Sequence, residues 1–206
     1  LWAKVMFNDR TTRFRIWRTA DWQEVPLPGA QVADIYWADF SPNDRFLATG
    51  YRSGAVKLRD FPSGQHETTF TNQKASASAV LFSPDGRRLA STSFDGTIIL
   101  RDLFAHREVA TLRGHPGPVG DAAFSPDGRR LVTGGVGSKD AVRLWDLTTQ
   151  RELLSLQGEG ELLFAHVAFS PDGSTVMATS FAGIAHLWRA PSWAEIEAAE
   201  KGAVTP

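Results

Sequence analysis

The chain contains no cysteine. Disulfides and thiolate metal ligands are excluded at once, although that absence names no compartment. Charge of one sign is missing too: 22 Lys and Arg stand against 23 Asp and Glu, for a formal net charge of −1. Such a balance gives no long-range field to draw the chain onto nucleic acid or an anionic membrane. Arg outnumbers Lys by 17 to 5, yet no run of five like charges occurs, so the charges read as solvated faces. No apolar run approaches the roughly 18 residues of a membrane helix, and the opening residues do not resemble a secretory leader. The first residue is Leu1 rather than Met. The natural N-terminus is therefore expected upstream, with room there for a targeting or membrane segment. For the stretch in hand the expected location is cytoplasmic.

Catalytic signatures are also lacking. The five histidines, His66, His106, His115, His166 and His186, form no His-x-x-x-His pair and sit with no carboxylates at metal spacing. There is no Gly-x-Ser-x-Gly elbow and no Gly-Lys-Ser/Thr phosphate loop. Gly134-Gly135-Val136-Gly137 is glycine-rich but reads as a hairpin turn after a strand. No catalytic residue, cofactor site or metal site is expected.

A repeat is present. Hydrophobic residues make up 42% of the chain, enough for a sizeable core. Phe40-Ser41-Pro42-Asn43-Asp44, Phe82-Ser83-Pro84-Asp85-Gly86, Phe124-Ser125-Pro126-Asp127-Gly128 and Phe169-Ser170-Pro171-Asp172-Gly173 recur at intervals of 42, 42 and 45 residues. Ile16-Trp17-Arg18, Leu58-Arg59-Asp60, Leu100-Arg101-Asp102, Leu144-Trp145-Asp146 and Leu187-Trp188-Arg189 keep nearly the same beat, at 42, 42, 44 and 43. In each Ser-Pro-Asp-Gly, Pro presets φ, Asp caps the turn and Gly accepts φ > 0. Between these marks residues alternate with the period of a strand, as in Ala141-Val142-Arg143-Leu144-Trp145. In the second full unit, strands are expected near Ser76–Phe82, Arg88–Ser93, Thr97–Asp102 and Glu108–Leu112, termed a, b, c and d. Four short strands per 40–45 residues make a propeller blade. The phenylalanines that open the turns are expected to be blade packing rather than a base-stacking surface.

Leu112-Arg113-Gly114-His115, followed by the turn at Phe124–Gly128 and by Val142-Arg143-Leu144-Trp145-Asp146, resembles a complete WD repeat. Nearly the whole chain, to about Arg189, is similar to that family. The resemblance implies a buried hydrogen-bond tetrad, carried here onto His115, Thr133, Asp140 and Trp145, with Asp140 in a b–c turn about two residues longer than its neighbour's. Other units depart from the pattern. One has Gln73 for His and Arg101 for Trp while keeping Asp95; another has Ser53 and Arg59 at the Asp and Trp positions; the last keeps Trp188 but has Ala182. Those blades are expected to rely on apolar packing.

The expected architecture is all-β: a β-propeller of four-stranded antiparallel blades, about four and a half of them, forming a C-terminal fragment of a seven-bladed ring. The divisions expected are a partial blade at 1–30, then 31–72, 73–114, 115–157 and 158–189, with a short C-terminal helix and tail at 190–206. The partial blade lacks strand a and ends in a strand d at Trp22–Val25. Open edges predict self-association of the fragment alone.

In the resembled family the face bearing the d–a and b–c loops is the usual contact surface. The residue before the b–c Asp gives Arg52, Phe94, Lys139 and Phe181, and the start of strand a gives Asp34, Tyr36, Ser76, Ser78, Pro118 and Leu163. Asp34, Tyr36, Arg52, Phe94, Lys139 and Phe181 are the partner-binding candidates; Phe94 and Phe181 read equally well as packed between blades. Three functional readings follow. The first is a non-catalytic protein-interaction scaffold. The second is a sensor or docking propeller behind a bacterial serine/threonine kinase or NTPase domain. The third is a closed propeller of about five blades.

Overall fold

The computed structural model describes residues 2–6, 13–26, 34–71, 73–137, 142–156, 164–180 and 183–190. Eighteen strands form five antiparallel sheets among them. Blade 1 contains β1 (Trp2–Met6), β2 (Arg13–Trp17) and β3 (Glu24–Val25). Blade 2 contains β4 (Ile35–Phe40), β5 (Phe46–Tyr51), β6 (Val56–Asp60) and β7 (Glu67–Phe70). Blade 3 contains β8 (Ala77–Phe82), β9 (Arg88–Ser93), β10 (Thr97–Asp102) and β11 (Arg107–Arg113). Blade 4 contains β12 (Val119–Phe124), β13 (Arg130–Gly135), β14 (Val142–Asp146) and β15 (Arg151–Leu156). Blade 5 contains β16 (Phe164–Phe169), β17 (Thr175–Ser180) and β18 (Ala185–Arg189). In each sheet consecutive strands pair in chain order. This is the four-stranded meander of a propeller blade, with a strand b–c–d set in blade 1 and an a–b–c set in blade 5.

Two sequence expectations shift. Strand d of blade 1 is only Glu24–Val25, because Trp22 turns left-handed at φ 56° and belongs to the c–d turn. Gly134 and Gly135 lie inside β13, buried, rather than in the turn that follows it. The expected helix at 190–206 lies outside the described residues, Ala190 excepted.

Blades stack face to face, so their middle strands are enclosed on both sides. In β10 the residues Thr97 to Arg101 are all buried, whereas β15 at the outer rim is exposed from Arg151 to Ser155. Leu100, Leu112, Val119, Leu131, Trp145 and Leu147 share one cluster between blades 3 and 4. Each fully buried aliphatic side chain of this kind contributes about 1.5–3 kcal/mol. Polar ties cross between neighbouring a strands. The Phe82 N–H donates to Asp39 Oδ2 at 2.8 Å, the Ser78 hydroxyl donates to the Val119 carbonyl, and the Val167 N–H donates to Asp121 Oδ2 at 3.0 Å.

The a–b turns repeat one set of bonds. The Ser41, Ser83, Ser125 and Ser170 hydroxyls donate to Oδ1 of Asn43, Asp85, Asp127 and Asp172 at 2.7, 2.6, 2.5 and 2.5 Å. The same serine oxygens accept the N–H of Phe46, Arg88, Arg130 and Thr175 at 2.9 Å. The left-handed fourth position falls on Asp44, Gly86, Gly128 and Gly173. These turns stack on one another: a Cβ added at Gly86 or Gly173 would stand 3.5 Å from the Pro Cδ of the preceding blade's turn.

Candidate interaction surface

The opposite ends of the blades carry the d–a and b–c loops. A repeated main-chain bond ties each b–c turn to the start of strand a. The Arg52 N–H donates to the Asp34 carbonyl at 3.0 Å, Phe94 N–H to Ser76 at 3.1 Å, and Val136 N–H to Pro118 at 2.8 Å. These pairs place the turn residue beside strand a in blades 2, 3 and 4.

Three of the sequence candidates meet there. The Tyr36 ring receives the Phe94 ring of the next blade edge-on, with centroids 5.5 Å apart and an interplanar angle of 81°. The Arg52 guanidinium carbon lies 5.7 Å from the centre of the same Tyr36 ring. Arg52 and Asp34 are exposed, while Tyr36 and Phe94 are half-buried. Phe94 is therefore both packed between blades and open to the face. The Ser76 hydroxyl donates to the Arg52 carbonyl at 2.9 Å and links blade 3 to blade 2 beneath the cluster. Pro118 is half-buried. Ser78 is not on this surface: it is fully buried, bonded to Thr92 at 2.8 Å and to Val119. It occupies Tyr36's place one blade on, and its short side chain ends inside where tyrosine reaches outward. Lys139, Phe181, Leu163 and Ala182 lie outside the described residues.

Under the face lies the hydrogen-bonded centre of blade 4. Trp145 Nε1 donates to Thr133 Oγ1 at 2.8 Å, and His115 Nε2 lies 2.7 Å from the same oxygen. All three side chains are buried, Thr133 completely. Gly114 is small for a reason: a Cβ there would meet Trp145 Cη2 at 3.0 Å. Asp140 lies outside the described residues.

Blade 3 rebuilds this centre from different residues, a substitution the sequence reading missed. Arg101 Nη1 donates to Ser91 Oγ at 3.0 Å, and Gln73 Nε2 donates to the Ser91 carbonyl at 3.0 Å. Ser91 is the Thr133 position, and all three residues are buried. Arg101 also lies over the Phe70 ring of blade 2, 4.6 Å from its centre. Polar bonding thus survives where apolar packing alone was expected. The signal was chemical: Gln and Arg are donors, as His and Trp are. At the retained Asp95, burial alone would raise the carboxyl pKa. Bonds from Thr97, the Lys74 N–H and Ser93 outweigh burial and hold it below the usual carboxylate range.

The described residues contain no group of three His, Asp or Glu able to hold a metal ion, and no helix long and apolar enough to cross a membrane. A comparison with curated proteins found no match. The family model "WD domain, G-beta repeat" matches residues 26–60, 64–102 and 106–146, more than half of the chain. Such repeats generally mediate protein–protein contacts and are typically non-catalytic. The chain, with its repeated four-stranded sheets and its matched repeats, belongs to the WD40 repeat family.

Proposed function

We propose that this chain is a non-catalytic interaction platform whose partner docks on the cluster of Tyr36, Arg52 and Phe94, with Asp34 at its edge. The observation that carries the reading is the meeting of three candidates from two blades on one exposed face. Aromatic and Arg side chains supply much of the energy of protein interfaces. Here the Arg is already oriented by a ring, so less ordering entropy is lost on binding. Lys139 and Phe181, by their places in the repeat, extend the same surface. His115, Thr133, Asp140 and Trp145 act as the scaffold beneath it.

The test is affinity capture with the whole protein, comparing wild type with Tyr36→Ala, Phe94→Ala and Arg52→Glu, and with Phe104→Ala at the opposite loops. Partners lost with the first three variants and kept with the fourth would support the surface. Retention of every partner by all four would remove it. The reading extends to self-association of this chain by itself, for which the exposed strand residues Leu154 and Leu187 are the supporting feature. Light scattering that returns a monomer would remove that extension.

A further inference from the structure

Trp145 stands opposite Leu131 of β13, and Arg101 stands at the same register one blade earlier, opposite Leu89 of β9. Both side chains turn toward the preceding blade. Trp145 packs in one cluster with Leu100 and Leu112 of blade 3, and Arg101 lies over Phe70 of blade 2. The two seams can therefore be compared residue by residue. At the seam of blades 3 and 4, Leu100, Ala110, Leu112 and Leu147 share the cluster of Trp145, and none is more than 8% exposed. At the seam of blades 2 and 3 their counterparts are Leu58, Thr68, Phe70 and Leu103. Leu58 pairs with Thr68 and Val56 with Phe70, as Leu100 pairs with Ala110 and Ile98 with Leu112. The Leu103 N–H donates to the Arg87 carbonyl as that of Leu147 does to Arg129, both at 2.9 Å.

The burial is not repeated. Leu58, Phe70 and Leu103 are only half-buried, and Thr68 is exposed. All four line a cleft of about 410 Å³, together with Phe46 and Arg101. Arg101 explains the opening. Its guanidinium reaches inward, Nη1 donating to Ser91 Oγ at 3.0 Å, and it brings no bicyclic ring to fill the seam. The carboxylates on the lining are engaged locally. Asp60 holds His66 Nδ1 at 2.7 Å, Asp85 accepts from the Ser83 hydroxyl, and Asp102 accepts the N–H groups of Phe104 and Ala105. Bare apolar walls and locally satisfied charges favour a neutral ligand, and the volume suits a small organic molecule.

We propose that this cleft is a binding site for a small neutral molecule with a flat bicyclic aromatic body. Its ring takes the place among Leu58, Phe70 and Leu103 that the Trp145 indole takes among Leu100, Leu112 and Leu147. The site is separate from the docking face above and does not depend on that reading.

The probes are indole and purine, titrated into the whole protein and followed by NMR. Indole should saturate one site, with shifts centred on Leu58, Phe70 and Leu103. Purine has the same shape but several ring nitrogens to desolvate, and should bind at least about tenfold more weakly. Arg101→Trp should fold, because its Nε1 can donate to Ser91 Oγ as Trp145 donates to Thr133, and should lose indole binding by filling the cleft with its own ring. Thr68→Trp blocks the cleft from its exposed wall and leaves the blade centre untouched; it should weaken indole at least about tenfold. The wild-type shifts are a readout independent of either variant. Absence of saturable binding, equal binding of indole and purine, shifts centred elsewhere, or undiminished binding by either folded variant would each overturn the proposal.

Discussion

Thr133→Val tests whether the polar centre of blade 4 holds the blade or merely occupies it. Valine keeps the shape of threonine, so no cavity opens, and the change is confined to one oxygen. That oxygen is fully enclosed and serves Trp145 Nε1 at 2.8 Å and His115 Nε2 at 2.7 Å. Each buried polar group deprived of its partner costs about 1–3 kcal/mol. The variant should therefore lose roughly 2–5 kcal/mol, a fall in melting temperature of about 5–15 °C. Urea unfolding followed by far-ultraviolet circular dichroism reads the loss directly. Adding Trp145→Phe should cost less in the Thr133→Val background than in wild type, by about 1 kcal/mol, because the bond is already gone. A Thr133→Val protein within about 0.5 kcal/mol of wild type would refute the reasoning, since a bond worth so little could not organise the blade.

Three further outcomes follow from single features of the fold. Gly54→Ala should be more destabilising than Gly183→Ala in thermal melts. Both glycines are left-handed, at φ 85° and 79°, but a Cβ at Gly54 would meet the carbonyls of Ala75 and Gln73 at 2.6 and 2.7 Å, whereas Gly183 has nothing within 4 Å. The second case carries only the backbone strain of about 1–2 kcal/mol. In acid titrations, Asp172 should release its contribution late. The hydroxyl bond from Ser170 holds its carboxyl at about 2, below the ordinary 3.8. Stability from a depressed acid is complete above the ordinary value and lost as pH falls through the folded one. Asp172→Asn should keep the turn, as Asn43 does, and flatten the acid limb between those two values; an unchanged limb would count against the turn as its source. At His166 the sign reverses. The carboxylate of Asp121, 2.6 Å from Nδ1, raises the histidine pKa against the opposing effect of burial. The tie between blades 4 and 5 should be full below pH 6.5 and weaken as pH rises through the raised value. His166→Gln should therefore cost more stability at pH 6 than at pH 9.

Much of this architecture was legible because its turns are local chemistry. Ser83, Asp85 and Gly86 are three residues whose side chains and φ values close one turn without help from elsewhere. Their period counted the blades and placed strands a to d to within a residue or two. The c–d turns were harder. Their left-handed position falls on Trp22, Gly64, His106 and Gln150, and only glycine announces such a backbone in advance. The remade centre of blade 3 escaped because a family pattern names residues, while the structure conserves bonds: Arg101 takes over the donor role of Trp145 on Ser91. Of the surface candidates, Tyr36, Arg52 and Phe94 were named from loop position alone, and the fold brings their side chains together. Ser78 was misplaced because strand position fixes direction but not reach.

The two loop faces differ in what their polar groups are free to do, and this favours the Tyr36 face for docking. On the a–b turn face, Asp85, Asp127 and Asp172 each spend Oδ1 on their own serine and on a following N–H, an arrangement that lowers all three pKa values. Those carboxylates are tied into the turns and contribute rigidity more than recognition. Across the blade, Arg52 is fixed through its main chain to Asp34 and Ser76, and its exposed side chain rests on a ring rather than a carboxylate. A partner carboxylate meeting Arg52 would gain a charge-assisted bond without breaking the contact with Tyr36. Arg52→Lys keeps the charge but loses the planar group that stacks and forks. It should therefore weaken partner binding nearly as much as Arg52→Ala. If lysine fully restored binding, charge alone would be at work, and the orientation of Arg52 by Tyr36 would have no part in recognition.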